Sequence, residues 1–353
     1  MPTVQQELED LLLATLRLNA SDLHLSVGYK PTVRVDGVLL PLEDFSVLTA
    51  EHSQDLAFSL LGERKDAFLE RKEVDFSYGF GDKARFRVNV FFEKSFISSA
   101  LRLIPSQIKT LEELNLPAVL HNISKLKQGF VLLTGPSGHG KSTTLASIID
   151  EINRERAEHI VTIEDPIEYL FLGNKSIVNQ REIGSDTKSF QNALSSILRE
   201  DPNIIMIGEM RDPETISAAL TAAETGHLVL SSLHTNNASQ TVDRIIDVFP
   251  PNQQNQVRLQ LSNTLSAIVS QRLLPRVSGG RVPATEIMFS NNAVSNLIRE
   301  SKAHQIDLVI ETSLENGMIS LNRSLSELVR RGEVAPEVAL SYSFNPTELQ
   351  TTI

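Results

Sequence analysis

Nine consecutive residues, Gly135, Pro136, Ser137, Gly138, His139, Gly140, Lys141, Ser142 and Thr143, stand at the spacing by which a loop wraps a chain of phosphates. Gly135, Gly138 and Gly140 let the backbone take left-handed angles, so that successive N–H groups converge on phosphate oxygens at a helix N-terminus. Lys141 would bring its charge to the β- and γ-phosphates of a nucleoside triphosphate, and Ser142 would ligate Mg2+. His139 is unusual between two glycines, but only its backbone need face the phosphates. Splitting the anhydride also takes acids, to hold the metal shell and to position or deprotonate a water. Two strand-like runs end in them. "VTIEDPIE" offers Glu164, Asp165 and Glu168, and "NIIMIGEMRD" offers Glu209. A third run, "GHLVLSSLHT", is flanked by His227 and His234. Either histidine alone is more often a structural hydrogen bonder. Together, bracketing a strand beside a nucleotide, they become candidates for a γ-phosphate sensor or a subunit contact. Their spacing fits no helical pair and no Cys assists, so metal ligation ranks lower.

These residues need rigid elements behind them. "GFVLLTG", "HIVTIED", "NIIMIGE" and "HLVLSSLH" are short apolar runs, and they alternate with the helical patterns "KSTTLASIIDEINRE", "TKSFQNALSSILRE" and "PETISAALTAAE". That alternation predicts a mostly parallel sheet with helices on both faces, the sheet type that binds ligands at its strand ends. Before it, Val4 to Leu16 follows helical spacing, several alternating segments read as antiparallel strands, and 50–72 reads as a further helix. The expected layout is an α+β domain over 1–100, a linker over 101–117 around Pro105 and Pro117, an α/β core over 118–275 and a helical region over 276–353.

Bulk properties narrow the class. The 353 residues carry 44 Asp and Glu against 33 Lys and Arg, a net charge of −11, which argues against a nucleic-acid partner. The absence of Cys removes disulfides and thiolate metal sites. The opening segment is acidic where a signal peptide needs basic residues, and no apolar run approaches a membrane span, so a cytoplasmic, soluble chain is expected.

The combination resembles the secretion ATPase superfamily, and within it the PilT-type ATPases of type IV pilus retraction. The boxes GPSGHGKST, TIEDPIE, IIMIGEMRD and GHLVLSSLHTNNA stand in the family's order, with "ASDLHLSVG", "RVDG", "RFRVNVF", "NQREIGSDTKSF" and "LREDPN" between and before them. The resemblance implies a PAS-like N-terminal domain, a RecA-like ATPase domain holding ATP and Mg2+, and a homohexameric motor. That motor would act on an inner-membrane pilus platform protein from the cytoplasmic side, associated with the membrane only peripherally, with room for a companion retraction ATPase. It also implies catalytic roles for Glu164 (polarising water), Glu209 (metal shell, directly or through water) and Lys141. His227 and His234 would couple the γ-phosphate to neighbouring domains, and Arg85, Arg87 and Arg102 would neutralise transferred charge. Two departures fall in the retraction signature, where Val294 and Ser295 replace Ile and Arg in "AVSNLIRE". Ser195 and Ser196 also stand where basic residues are frequent. The alternatives are a pilus assembly or secretion ATPase of the same superfamily, an accessory retraction ATPase with weak hydrolysis, and, less favoured by the acidic balance, a ring helicase.

Overall fold

The computed structural model describes residues 3–35, 37–81, 83–105 and 107–353. Asp36 of the "RVDG" phrase and Ser106 of the expected linker lie outside these residues, as do Met1 and Pro2 of the opening segment. The chain divides into two compact units, Met1–Ser106 with Pro166–Leu170, and Gln107–Asp165 with Phe171–Ile353.

The first unit opens with helix α1 (Val4–Arg17), started by a capping box in which Thr3 and Gln6 satisfy each other's backbone N–H. Strands β1 (Asp22–Leu25), β2 (Thr32–Val35) and β3 (Val38–Pro41) follow, then helices α2 (Ala50–Leu61) and α3 (Lys65–Arg71) and strands β4 (Glu73–Phe80), β5 (Ala84–Glu93) and β6 (Phe96–Ile104). The single helix expected over 50–72 is interrupted at Gly62, where φ is +52° and a short 3-10 turn intervenes. The six strands form one sheet in the order β3-β2-β1-β6-β5-β4, antiparallel throughout. Alternation sends Leu23, Val33, Phe86, Val88 and Leu101 into a core with Leu8, Leu12 and Leu56 of the helices. The other face carries a row of polar residues in register, Arg87, Arg102, Asp22 and Arg34.

In the second unit, α4 (His121–Ser124) leads into β7 (Gly129–Thr134), α5 (Lys141–Glu155), β8 (His159–Glu164), β9 (Ile177–Glu182), α6 (Phe190–Ile197), β10 (Ile204–Ile207), α7 (Pro213–Glu224) and β11 (Leu228–Leu233). Helices α8 (Ala238–Asp247) and α9 (Pro251–Thr264) precede a hairpin of β12 (Leu265–Pro275) and β13 (Arg281–Phe289). Helices α10 (Asn292–Arg299), α11 (Ile306–Thr312), α12 (Leu321–Arg330), α13 (Pro336–Tyr342) and α14 (Pro346–Gln350) complete the chain. The sheet runs β13-β12-β7-β11-β10-β8-β9, with only β13 antiparallel.

Two features depart from the expected layout. The hairpin crosses the expected boundary at 275/276, because Arg281–Phe289 is a strand, buried from Val282 to Met288, that continues the sheet. The expected linker is also shorter than 101–117. Strand β6 extends to Ile104, and beyond it Leu111 and Leu116 are buried while the Ser147 hydroxyl donates to the Lys109 carbonyl at 2.7 Å.

Candidate functional site

The phosphate loop connects the fully buried strand β7 to α5, whose N-cap is Gly140 in the left-handed region. Lys141, 7% exposed, folds back so that its Nζ donates to the carbonyls of Gly135 at 2.8 Å and Pro136 at 2.9 Å. The loop lies against β12, which pairs with β7 as far as Ser270 opposite Thr134 and then runs on beyond it. There Gln271 receives a hydrogen bond from Thr144 Oγ1 at 2.8 Å and gives one from Nε2 to the His139 carbonyl at 2.8 Å. The backbone N–H of Leu273 donates to His139 Nδ1 at 2.9 Å. The approach is close enough that a Cβ at position 135, where φ is +138°, would sit 2.2 Å from the Gln271 carbonyl oxygen. Glycine is therefore required there by packing as well as by backbone angle. His139 thus does more than fill the loop, since its side chain prolongs the β12 ladder. Burial, reinforced by Arg272, Lys141 and Arg281, pushes its pKa below the ordinary value, and the neutral ring keeps the Nδ1 lone pair that Leu273 needs.

Because β7, β11, β10 and β8 are parallel, their C-terminal ends form one edge, and the loop shares it with Glu164, Glu209 and His234. Glu164, 6% exposed at the last position of β8, accepts from Thr162 Oγ1 at 2.6 Å and from Gln180 Nε2 at 3.1 Å. Gly208 follows β10 and donates to the Ile163 carbonyl at 2.8 Å, leaving Glu209 next along the same edge. A Cβ on Gly208 would lie 3.5 Å from Glu164 Cα. The two oxygens of Glu209 face Arg211, as an ion pair, and His234 Nε2 at 3.4 Å. His234 stands just beyond β11.

The other site residues expected from sequence are placed elsewhere. His227 precedes β11, so it lies at the opposite edge, one six-residue strand or roughly 20 Å from the loop. Its Nδ1 faces the Ala222 carbonyl at 2.9 Å and its own carbonyl accepts from Gly129 N–H at 3.0 Å. It cannot sense a γ-phosphate bound by its own loop. Asp165 is exposed, and Glu168 is exposed in the Pro166–Leu170 stretch of the first unit. Arg85, Arg87 and Arg102 share one face of the first unit's sheet. Arg102 is committed to Asp22, with Nε 2.8 Å from its carboxylate, whereas exposed Arg87 only reaches Asp75 at 4.0 Å. Burial pushes the Asp22 carboxyl up, but the Ser21 hydroxyl and Arg102 outweigh it and leave it below its ordinary value. Val294 is buried in α10, and Ser295 Oγ lies 3.5 Å from Ser290 Oγ. Ser196 accepts from Arg181 Nη1 at 3.2 Å, beside the Arg181–Glu200 ion pair at 2.6 Å. Sequence reasoning missed Thr162, Gln180, Ser270, Gln271, Arg272 and Glu286. Glu286 had left a trace, as a carboxylate inside an otherwise apolar strand.

A phosphate loop after a central parallel strand, with carboxylates at the ends of two others on the same edge, defines the class of P-loop ATPases with a RecA-like core. Residues 96–305 match the family of type II/IV secretion system proteins. A twitching motility protein of Neisseria gonorrhoeae is 48% identical over 311 residues, 88% of this chain and 83% of its own. The type IV pilus retraction ATPase PilT of Pseudomonas aeruginosa is 46% identical over 337 residues, 94% of this chain and 97% of its own. The crystal structure of the pilus retraction motor PilT with bound ADP superposes with a TM-score of 0.90 at 47% identity, covering 97% of this chain and 98% of the other. The chain belongs to the type II/IV secretion system protein family, among its PilT-type pilus retraction ATPases. It is an ATPase that binds adenine nucleotide. Among the described residues, no helix is long and apolar enough to cross a membrane.

Proposed function

We propose that this chain assembles as a homohexamer at the cytoplasmic face of the inner membrane and spends ATP to drive type IV pilus retraction through the platform protein. The observation that carries this reading is the shared strand edge, where Lys141 in the phosphate loop stands with the oriented carboxylate of Glu164 and with Glu209. On binding, Lys141 would exchange two loop carbonyls for the β- and γ-phosphate oxygens, while the loop N–H groups hold the remaining charge. Glu164, held by Thr162 and Gln180, would orient the attacking water and accept its proton. No cluster of three His, Asp or Glu among the described residues forms a ready cage for a metal. Mg2+ keeps several waters and substrate phosphates as ligands. Ser142 and Glu209 would hold it, directly or through water, and it would supply charge neutralisation at the phosphates. His234 would report the γ-phosphate through Glu209, and Arg87, with Arg85 and Arg102, would offset charge moved during transfer.

The reading is tested with purified protein. Lys141→Ala is expected to lower phosphate release by roughly 100-fold or more with the fold intact. Release unchanged from a low wild-type level would instead leave an accessory ATP-binding subunit. Val294 and Ser295 lie in α10 and bear on docking, hence on which motor role the chain serves, and not on hydrolysis; deletion strains separate those roles. Loss of a retraction motor gives excess surface pili, and loss of an assembly motor gives none.

A further inference from the structure

The roles assigned so far leave Glu286 unused. It sits in β13, where every residue from Val282 to Met288 is buried, on the row that places Thr134, Ser270 and Glu286 side by side across β7, β12 and β13. The row is hydrogen-bonded, since Thr134 Oγ1 donates to Ser270 Oγ at 2.9 Å and Ser270 Oγ donates to Glu286 Oε1 at 3.4 Å. The same Oε1 accepts the backbone N–H of Ala238 at 2.8 Å. Ala238 is the first residue of α8, so a buried carboxylate here takes up one of the donors that a helix start leaves unpaired and faces the positive end of its dipole.

What the two ends of this relay support gives it meaning. Thr134 immediately precedes Gly135, the first residue of the phosphate loop. Ala238 is four residues past His234, and the stretch between is itself tied down. Thr241 Oγ1 donates to the Asn237 carbonyl at 2.6 Å and lies 2.7 Å from Thr235 Oγ1, while Arg272 Nη2 donates to Asn236 Oδ1 at 3.1 Å. Glu286 therefore joins the base of the phosphate loop to the histidine segment, with its own hydrogen bonds ending on Ser270 and Ala238.

We propose that Glu286 is a positioning residue for hydrolysis, which sets the histidine segment against the phosphate loop and does so differently when ionised and when protonated. The inference rests on the placement of His234 and Glu209 at the nucleotide. Ionised, the carboxylate accepts from both Ser270 and Ala238. Protonated on Oε2, the carboxyl keeps Oε1 only as a neutral, weaker acceptor, so the bonds from Ser270 and from the Ala238 N–H both loosen. Burial pushes the Glu286 carboxyl up to about 7. The Ala238 N–H pulls it back, Asp307 on α11 adds to the rise, and Ser270 and Arg272 on β12 oppose it. Asp307 is itself raised by burial and held by Ser239 of α8 at 3.5 Å. The switch accordingly falls in the physiological range.

The experiment compares steady-state ATP hydrolysis of the full chain and Glu286→Gln between pH 6 and 8.5. The wild type should lose kcat on the acid side with an inflection near neutrality. Glu286→Gln should show kcat reduced about tenfold at pH 8, KM within about twofold of wild type, and no such inflection. Superimposable profiles and kcat at pH 8, or a loss carried wholly by KM, overturn the proposal. Should Glu286→Gln fail to fold by circular dichroism, Ser270→Ala and Thr134→Val break the relay away from the carboxylate. Both should lower kcat at unchanged KM, and wild-type kcat in both overturns the proposal equally. Glu164→Gln is run alongside, because hydrolysis surviving that change would sink the site assignment while leaving the Glu286 comparison readable.

Discussion

His139 shows how a side chain that looks gratuitous in sequence can be structural. Its Nδ1 must accept from Leu273, and its pKa is already pushed down, so the bond is fully present above the ordinary histidine value of 6.5 and fades as pH falls through the lower folded value. His139→Ala should cost about 1–2 kcal/mol by leaving the Leu273 N–H without its acceptor. In denaturant titrations, the wild type should lose part of its advantage over the variant between pH 7 and 5, and a constant difference would contradict the assignment. Glu286 has the opposite sign. Its folded pKa of about 7 exceeds the ordinary 4.5, so the native state holds the extra proton and stability declines as pH rises between those values. A shift of that size corresponds to about 3 kcal/mol. Glu286→Gln should flatten this decline in the same titrations, and an unchanged slope would mean that the buried carboxyl titrates normally.

At the scale of elements, β12 acts as a splint. It continues past β7 and turns its spare backbone and polar side chains to the phosphate loop on one side and, through Arg272, to the histidine segment. The loop, α5, α7 and the strands β7, β8, β10 and β11 were legible because apolar runs and helical periods are local signals. The hairpin β12–β13 was not, because Ser270, Gln271, Arg272 and Glu286 break its apolar pattern and are satisfied only by partners far along the chain. Likewise His227 and His234 flank β11 symmetrically in sequence, and only the shared direction of the parallel strands puts one at the nucleotide edge and the other away from it. The segment after residue 107 carries a further element-scale prediction. His121 faces Glu151 through Nδ1 at 2.8 Å and Glu112 through Nε2 at 2.8 Å, so both ring nitrogens must donate. The Glu151 hydrogen bond leads in raising its pKa above 6.5, against the opposing pull of burial. The clasp is thus complete below 6.5 and is lost as pH rises through the raised value. Hydrogen-exchange protection of residues 110–116 should fall across that window in the wild type and be low and pH-independent in His121→Ala. Equal protection in both proteins would show that the clasp holds nothing.

For the whole molecule, the proposed ring makes a demand that a monomeric ATPase does not. Arg87 is exposed and weakly paired on the polar face of the first unit's sheet, which leaves it available to a site other than its own. If it acts across a subunit boundary, each catalytic site combines Lys141 of one protomer with Arg87 of the next. Lys141→Ala and Arg87→Ala would each be impaired alone, for different reasons. In an equal, freely exchanging mixture, a site is whole when an Arg87→Ala protomer with intact Lys141 abuts a Lys141→Ala protomer with intact Arg87. Random assembly makes that true of about one site in four, so the mixture should recover roughly a quarter of wild-type hydrolysis. Diluting the protein until rings dissociate should remove the recovered activity. An Arg87 acting within its own protomer gives no recovery at any ratio, because no chain in the mixture then holds both residues. Full activity of Arg87→Ala by itself would remove this arginine from the mechanism and move the role to Arg85 or Arg102.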